Sequence, residues 1–171
     1  MRALNQALLL VLLIISSGFA QYGKRISVVL MPFEVVSCAN AQLDWVSGGF
    51  HHILETRFYK YRNQIRVVDR ARIEHHIREQ QLVQAGFTID EQSVKTGKFF
   101  SANYSIYGKV ICLSDTLVLV NVNIVDVQST EKISDELYGN VSNLYKNLPD
   151  SIVNHVYFKL LQMYHLSLIH I

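Results

Sequence analysis

The sequence contains few of the residues that mark specialised classes of protein. Its 171 residues include only two cysteines and two prolines, which excludes a disulfide-stapled mini-protein and a proline-rich linker. Charged residues make up 18% of the chain, and the 16 basic residues nearly balance the 14 acidic ones. This near-neutral charge argues against a nucleic-acid-binding protein. A hydrophobic content of 50% excludes a disordered chain and predicts one globular domain.

Sequence motifs that would indicate an enzyme are also missing. There is no G-x-S-x-G nucleophile elbow and no glycine-rich phosphate loop, because Gly48-Gly49 lies in a helical pattern without the required lysine. The carboxylates fit structural roles: Asp69 and Glu91 as helix caps and Asp115 as a turn residue. Asp126 and Asp135 could face each other across a hairpin. The sequence therefore assigns no catalytic and no cofactor-binding residue and predicts a protein that is not an enzyme.

Histidines offer the only suggestion of a metal site. They form two adjacent pairs on predicted helices, His51-His52 and His75-His76. Neighbours on a helix point about 100° apart, so neither pair can chelate a metal as an i, i+4 pair does. We predict that these histidines face solvent, that His155 has no partner, and that the chain binds no metal.

The apolar residues are concentrated at the start of the chain. Arg2 precedes an apolar run from Ala7 to Ile15, and the small residues Gly18 and Ala20 follow at the −3 and −1 positions of a cleavage site. This pattern predicts a secretory signal peptide over residues 1–20, because the run falls short of the about 20 residues that span a bilayer. Residues 21–165 would then form an exported domain. In an oxidising compartment Cys38 and Cys112 could form a disulfide, although two separate buried thiols fit equally well.

The last six residues, 166–171, resemble the translation of a sequencing-library adapter. If they are an artefact, the natural protein continues beyond residue 165, and the domain could be the binding module of a longer protein. The end of an amphipathic helix is the alternative. These residues are excluded from the fold prediction.

The first half of the exported domain predicts strands alternating with helices. Ile26–Phe33 is an apolar run typical of a strand that is buried on both faces, and Pro32 is expected to close it. A helix follows, in which Gly48-Gly49 suggests close packing on a sheet. Ile65–Val68 is the second strand. The helix between these two strands is predicted from apolar residues that recur at helical spacing, namely Val46, Phe50, Ile53, Leu54 and Phe58.

The second half predicts two helices, three strands and a final helix. Asp69 would cap a helix over Arg70–Gln84 that stops at Gly86, and Thr88–Glu91 has the form of a capping box for a helix running to about Phe100. Alternating patterns then predict three antiparallel strands, over Tyr104–Leu113, Thr116–Val127 and Lys132–Tyr138. The final helix has Pro149 in its first turn. The order β-α-β-α-α-β-β-β-α predicts a single α/β domain with a mixed five-stranded sheet.

Taken together, these segments resemble the CsgG family of curli production assembly and transport components. The resemblance rests on RISVVLMPFEVV, WVSGGFHHILETRF, IRVVDRARIEHHIREQQLVQAGFTID and VKTGKFFSANYSIYGKV, in this order along the chain. It includes an apolar strand ending in Pro-Phe, the Val-Val-Asp-Arg run at Val67–Arg70, and Gly108 within a strand. The chain departs from the family in having no cysteine directly after the predicted signal peptide, where a lipoprotein carries its lipid anchor.

The resemblance implies a function that the residues alone do not. The CsgG family is similar in fold to the penicillin-binding-protein activator LpoB and to the amino-terminal domain of TolB. We therefore expect a non-catalytic exported adaptor in the periplasm, peripheral to the outer membrane at most. It would act in curli-like assembly or secretion through contacts with envelope proteins. An activator docking on a peptidoglycan synthase is the alternative, and the family also leaves a homo-oligomer open.

Overall fold

All five predicted strands are present in the computed structural model, which describes residues 25–36, 43–68 and 89–169. They are β1 (Ile26–Val36), β2 (Ile65–Val67), β3 (Tyr104–Cys112), β4 (Leu117–Asp126) and β5 (Lys132–Asn140). Their order across the sheet is β2-β1-β3-β4-β5. Strand β1 runs parallel to β2 and β3, whereas β3, β4 and β5 form an antiparallel meander. The prediction of a mixed five-stranded α/β domain is confirmed.

The described ranges contain three α-helices: α1 (Asp44–Phe58), α2 (Ile89–Phe99) and α3 (Leu148–Ile169). Each matches a predicted helix. None of the helices in these ranges is both long enough and apolar enough to cross a membrane. Several predictions lie outside the described residues, namely the helix over 70–84, its cap Asp69, its stop Gly86 and Thr88 of the capping box.

Strand β1 continues past Pro32, so the prediction that this proline closes the strand is wrong. The strand has 11 residues, and its pairing with β3 shifts register between Leu30 and Phe33. Because proline has no N–H to donate, it is tolerated where the ladder is already interrupted by such an irregularity. Beyond the shift, β1 pairs again with β3 up to Val36.

The two faces of the sheet carry different cores. The larger core lies between the sheet and the helices α1 and α3, and the smaller core lies between the opposite face and α2. Both faces of β1 are buried from Ile26 to Met31, as predicted. The predicted alternation in β4 is also confirmed. The buried residues of the larger core include Val46, Phe50, Leu54, Val118, Val120, Val122, Ile124, Ile152, Val153, Val156 and Leu160.

The glycines of α1 do not pack against the sheet, contrary to the prediction from Gly48-Gly49. A Cβ at Gly48 would meet no atom within 4 Å, and one at Gly49 would be in ordinary contact with Trp45 at 3.5 Å. Close packing occurs instead at Gly97 of α2, where a Cβ would overlap the side chain of Val127. The glycine pair therefore weakens α1 without any packing that would compensate.

Cys112, at the end of β3, is disulfide-bonded. This excludes the alternative of a free buried thiol at this position. Cys38, the only other cysteine of the chain, lies outside the described residues.

Candidate functional site

Only one histidine of the pair on α1 is exposed. The prediction of solvent-facing histidines is therefore wrong for His51. This residue is 2% exposed because it follows Phe50 on the side of α1 that also buries Leu54. His52 is exposed, stacks on His51 with ring centroids 5.1 Å apart, and places Nδ1 3.7 Å from a carboxylate oxygen of Glu55. The second predicted pair, His75-His76, lies outside the described residues. Within the described ranges, no three potential metal ligands come together.

His155 has a partner, contrary to the prediction. Its Nε2 lies 3.0 Å from Oδ2 of Asp135 on β5, and Lys159 Nζ lies 3.6 Å from the same oxygen. The cluster connects α3 to the edge strand of the sheet. Asp135 pairs with Val122 in the ladder, so it does not face Asp126 across the hairpin. Asp126 accepts hydrogen bonds from the backbone N–H groups of the turn that follows it. The cluster is a charged contact between one helix, α3, and the sheet.

A second cluster connects α2 to the opposite face of the sheet. The hydroxyl of Tyr107 donates a hydrogen bond to Oδ1 of Asp90, and Lys132 Nζ lies 3.1 Å from Oδ2 of the same carboxylate. The Lys132 ammonium also lies 5.5 Å from the centroid of the Tyr107 ring. The Tyr107 hydrogen bond, and then Lys132, lower the pKa of Asp90 against the opposing effect of burial. Burial and the Asp90 carboxylate raise the pKa of Tyr107.

These pKa directions determine the charge of the cluster near neutral pH. A carboxyl whose pKa is lowered stays ionised, and a tyrosine whose pKa is raised stays protonated. The hydrogen bond and the ion pair hold α2 on the sheet.

The same directions predict how stability depends on pH. Asp90 has a lowered pKa in the folded state, so its contribution is present above its unfolded pKa near 3.8 and is lost as pH falls through the folded value. Tyr107 has a raised pKa, so its contribution is present below its unfolded pKa of 10.0 and is lost as pH rises above it. At neutral pH, Y107F is expected to lower the free energy of unfolding by about 1 kcal/mol, because it removes a hydrogen bond to a half-exposed carboxylate.

Urea unfolding from pH 3 to 11 would test this. The difference in the free energy of unfolding between the wild type and D90N should shrink below about pH 4. The corresponding difference between the wild type and Y107F should shrink above about pH 10. Parallel pH profiles for the wild type and both variants would contradict the assignment.

Exposed apolar side chains are concentrated at one end of the sheet. We call this the hairpin-end surface and define it by Trp45, Leu113, Leu117, Tyr138 and Tyr145, whose exposed fractions range from 37% to 63%. Leu113 and Leu117 flank the β3–β4 turn, where the Leu113 N–H donates to the Leu117 carbonyl at 3.0 Å. Tyr138 lies opposite Leu119 in the adjoining β4–β5 ladder. The other large exposed apolar residues of the described ranges are Tyr59, Phe99 and Phe158.

A shallow depression of about 320 Å³ lies on this surface. The β3–β4 turn contributes Asp115 and Thr116, the start of α1 contributes Trp45, and the segment after β5 contributes Asn140 and Tyr145. The Val141 N–H donates to the Thr116 carbonyl at 2.9 Å, which holds the segment after β5 against the turn. The depression thus combines two aromatic rings with one carboxylate, contributed by the start of α1 and by two connections of the sheet.

Sequence reasoning did not find this surface, although part of its signal was present. In β5 the residues Lys132, Ser134, Glu136 and Tyr138 point to the same face, so an aromatic residue falls where the pattern is otherwise polar. Leu117 lies on the face of β4 that also carries Leu119, Asn121 and Asn123, so nothing in the pattern of β4 singles it out. Asp115 was predicted only as a turn residue, and it does lie in the β3–β4 turn.

Comparisons with known proteins show the fold. No protein-family model matches the chain, and no curated protein matches its sequence. Lipoprotein GNA1162 from Neisseria meningitidis has a similar structure, with a TM-score of 0.53 and 16% identity over 78% of this chain and 95% of that one. TolB from Acinetobacter baumannii gives a TM-score of 0.51 and 13% identity over 80% of this chain. The match spans only 28% of TolB.

The C-terminal domain of LpoB from Salmonella enterica gives a TM-score of 0.49 and 11% identity, over 73% of this chain and 91% of that one. At the identities of GNA1162 and TolB, the likeness establishes a shared fold. Membership of the CsgG family stays a prediction from the sequence.

Proposed function

We propose that the chain is an exported, non-catalytic adaptor of the bacterial envelope that works by binding other proteins. The hairpin-end surface carries this proposal. Exposed apolar side chains gathered at one end of a domain often mark a binding surface, and aromatic residues such as Trp45, Tyr138 and Tyr145 are enriched in protein interfaces. Among the described residues, the titratable clusters support the fold rather than a reaction, which favours an adaptor over an enzyme.

The envelope location rests on two further observations. The first is the predicted signal peptide over residues 1–20. The second is the fold, which is shared with a lipoprotein and with TolB. Within this location we propose a role in curli-like assembly or secretion, as the sequence resemblance implies. Activation of a peptidoglycan synthase is the alternative. The structural match covers only 28% of the TolB chain. This fits the further alternative that the domain is a binding module within a larger protein.

Site-specific photo-crosslinking in cells would test the proposal. A photoreactive phenylalanine analogue is placed at Tyr138 on the hairpin-end surface, and at Phe158 of α3 as the matched control. The two side chains are equally exposed, at 63% and 62%, so a difference in crosslinking reports on the surface and not on accessibility. We expect defined crosslinked envelope proteins from position 138 and none of them from position 158.

The identity of the crosslinked protein separates the alternatives. A component of an assembly or secretion machine supports the first role, and a penicillin-binding protein supports the second. If positions 138 and 158 give the same products, or if position 138 gives none, the hairpin-end surface is not the binding surface and the proposal fails.

A further inference from the structure

The depression on the hairpin-end surface has the chemistry of a cation site. Within the described ranges, no hydrogen bond or ion pair engages the Asp115 carboxylate, the Trp45 indole N–H or the Tyr145 hydroxyl. The two aromatic side chains are 37% and 53% exposed. A carboxylate attracts a positive charge, and the faces of tryptophan and tyrosine attract one through the ring quadrupole.

One aromatic ring of this depression already has a cation beside it. The Lys146 ammonium lies 5.6 Å from the centroid of the Tyr145 ring, within the about 6 Å over which cation–π attraction acts. Lys146 belongs to the same exposed segment and has no carboxylate partner among the described residues. An incoming cation would therefore compete with the Lys146 ammonium and not with an ion pair.

The charge of the depression favours a cation over a neutral sugar as the ligand. Asn140 Oδ1 is already the acceptor for the Ser142 N–H at 3.0 Å and for the Ser142 hydroxyl at 2.9 Å. The Asp115 carboxylate and the two aromatic rings that line the depression match the planar guanidinium of arginine or the ammonium of lysine.

We propose that this depression binds a basic side chain, arginine in preference to lysine, of the protein partner. The inference rests on the proposed adaptor function and adds the chemistry of the partner. Asp115 supplies the charge, and Trp45 and Tyr145 supply the aromatic faces.

Trp45 provides a selective reporter, because it is the only tryptophan of the chain. The protein is labelled with ¹⁵N and titrated with the blocked tripeptide acetyl-Gly-Arg-Gly-amide while its single indole N–H signal is followed. We expect a saturable shift with a Kd on the order of 10 mM, as befits one side chain. The same peptide with citrulline, which has the shape of arginine without the charge, should bind at least fivefold more weakly.

Variants locate the site. D115N is expected to weaken binding of the arginine peptide at least fivefold, whereas K146M is expected to strengthen it because the competing ammonium is removed. E131Q is the matched control: it removes one exposed carboxylate in the turn after β4, at the opposite end of the sheet, and should leave the affinity unchanged. All three positions are exposed, so the variants are expected to fold, and their backbone spectra verify it.

Several results would overturn the inference. These are equal binding of the arginine and citrulline peptides, an unchanged affinity in D115N, or no shift at 100 mM peptide. A shift with N-acetylglucosamine oligomers but not with the arginine peptide would replace it with a sugar site. Failure here is distinguishable from failure of the adaptor proposal, since crosslinking from position 138 does not depend on the charge of Asp115.

Discussion

Replacing Gly108 by alanine is expected to lower the free energy of unfolding by about 3 kcal/mol. Gly108 lies in the middle of β3, between Phe33 of β1 and Val122 of β4 in the ladders. A Cβ at this position would overlap both the Asn121 carbonyl oxygen and the Phe33 ring. Neither neighbour can move easily. The carbonyl belongs to the paired strand β4, and the ring is 1% exposed and packs edge-on against Phe50 at 5.4 Å.

The control for this prediction is G48A in α1. A Cβ at Gly48 would enter open space, and alanine favours a helix over glycine, so we expect G48A to raise the free energy of unfolding by about 0.5–1 kcal/mol. Urea unfolding of the wild type and both variants gives the comparison, with an unchanged m-value required for the two-state analysis. Effects of the same sign for G48A and G108A would show that the close approach at Gly108 does not control stability.

The contrast between these two glycines shows where the sequence stops being informative. Gly48 was predicted to pack because it stands next to another glycine within a helical pattern, and that local signal has no structural counterpart. Gly108 fits an ordinary strand pattern, and its constraint comes from Phe33 and Asn121, which lie on two other strands. A close approach depends on which strands become neighbours and in which register. Neither property is encoded in the residues adjacent to the glycine.

The regular elements could be predicted because their signals are local. The alternation of Val118, Val120, Val122 and Ile124 predicts which face of β4 is buried, and the short connections predict the antiparallel meander. The error at Pro32 has a non-local cause: whether a proline ends a strand depends on the pairing of its neighbours. At Pro32 the ladder with β3 shifts register, and the missing N–H therefore removes no regular bond.

The candidate site could be predicted only in fragments. Tyr138 stands out as an aromatic residue on an otherwise polar face of β5. Trp45 belongs to α1 and Tyr145 to the segment after β5, and nothing in the sequence places either beside the β3–β4 turn. The partner of His155 was missed for the same reason, because Asp135 reaches it only when α3 packs on the sheet beside β5. Surfaces that are assembled from connections require the complete topology.

Reducing the disulfide at Cys112 is expected to lower the free energy of unfolding by about 3 kcal/mol, within the range found when small exported domains lose a native disulfide. Cys112 ends β3, at the same end of the sheet as the β3–β4 turn. The cross-link restricts the unfolded chain, and the folded state gains stability relative to it. Because a domain of this size is stable by only about 5–15 kcal/mol, the loss is a large fraction of the total. Thermal and urea unfolding with and without dithiothreitol would measure it.

The variant C38S/C112S is the control, since it has no disulfide to lose and its stability should not respond to dithiothreitol. Peptide mapping without reduction should recover the Cys112 peptide joined to the peptide of Cys38, the only other cysteine. Equal stability of the wild type with and without reductant, with free thiols verified in the reduced sample, would contradict the prediction. A positive result would also bear on export. The cytoplasm keeps thiols reduced, so a chain that needs this bond reaches full stability only in an oxidising compartment, as the proposal of an exported domain requires.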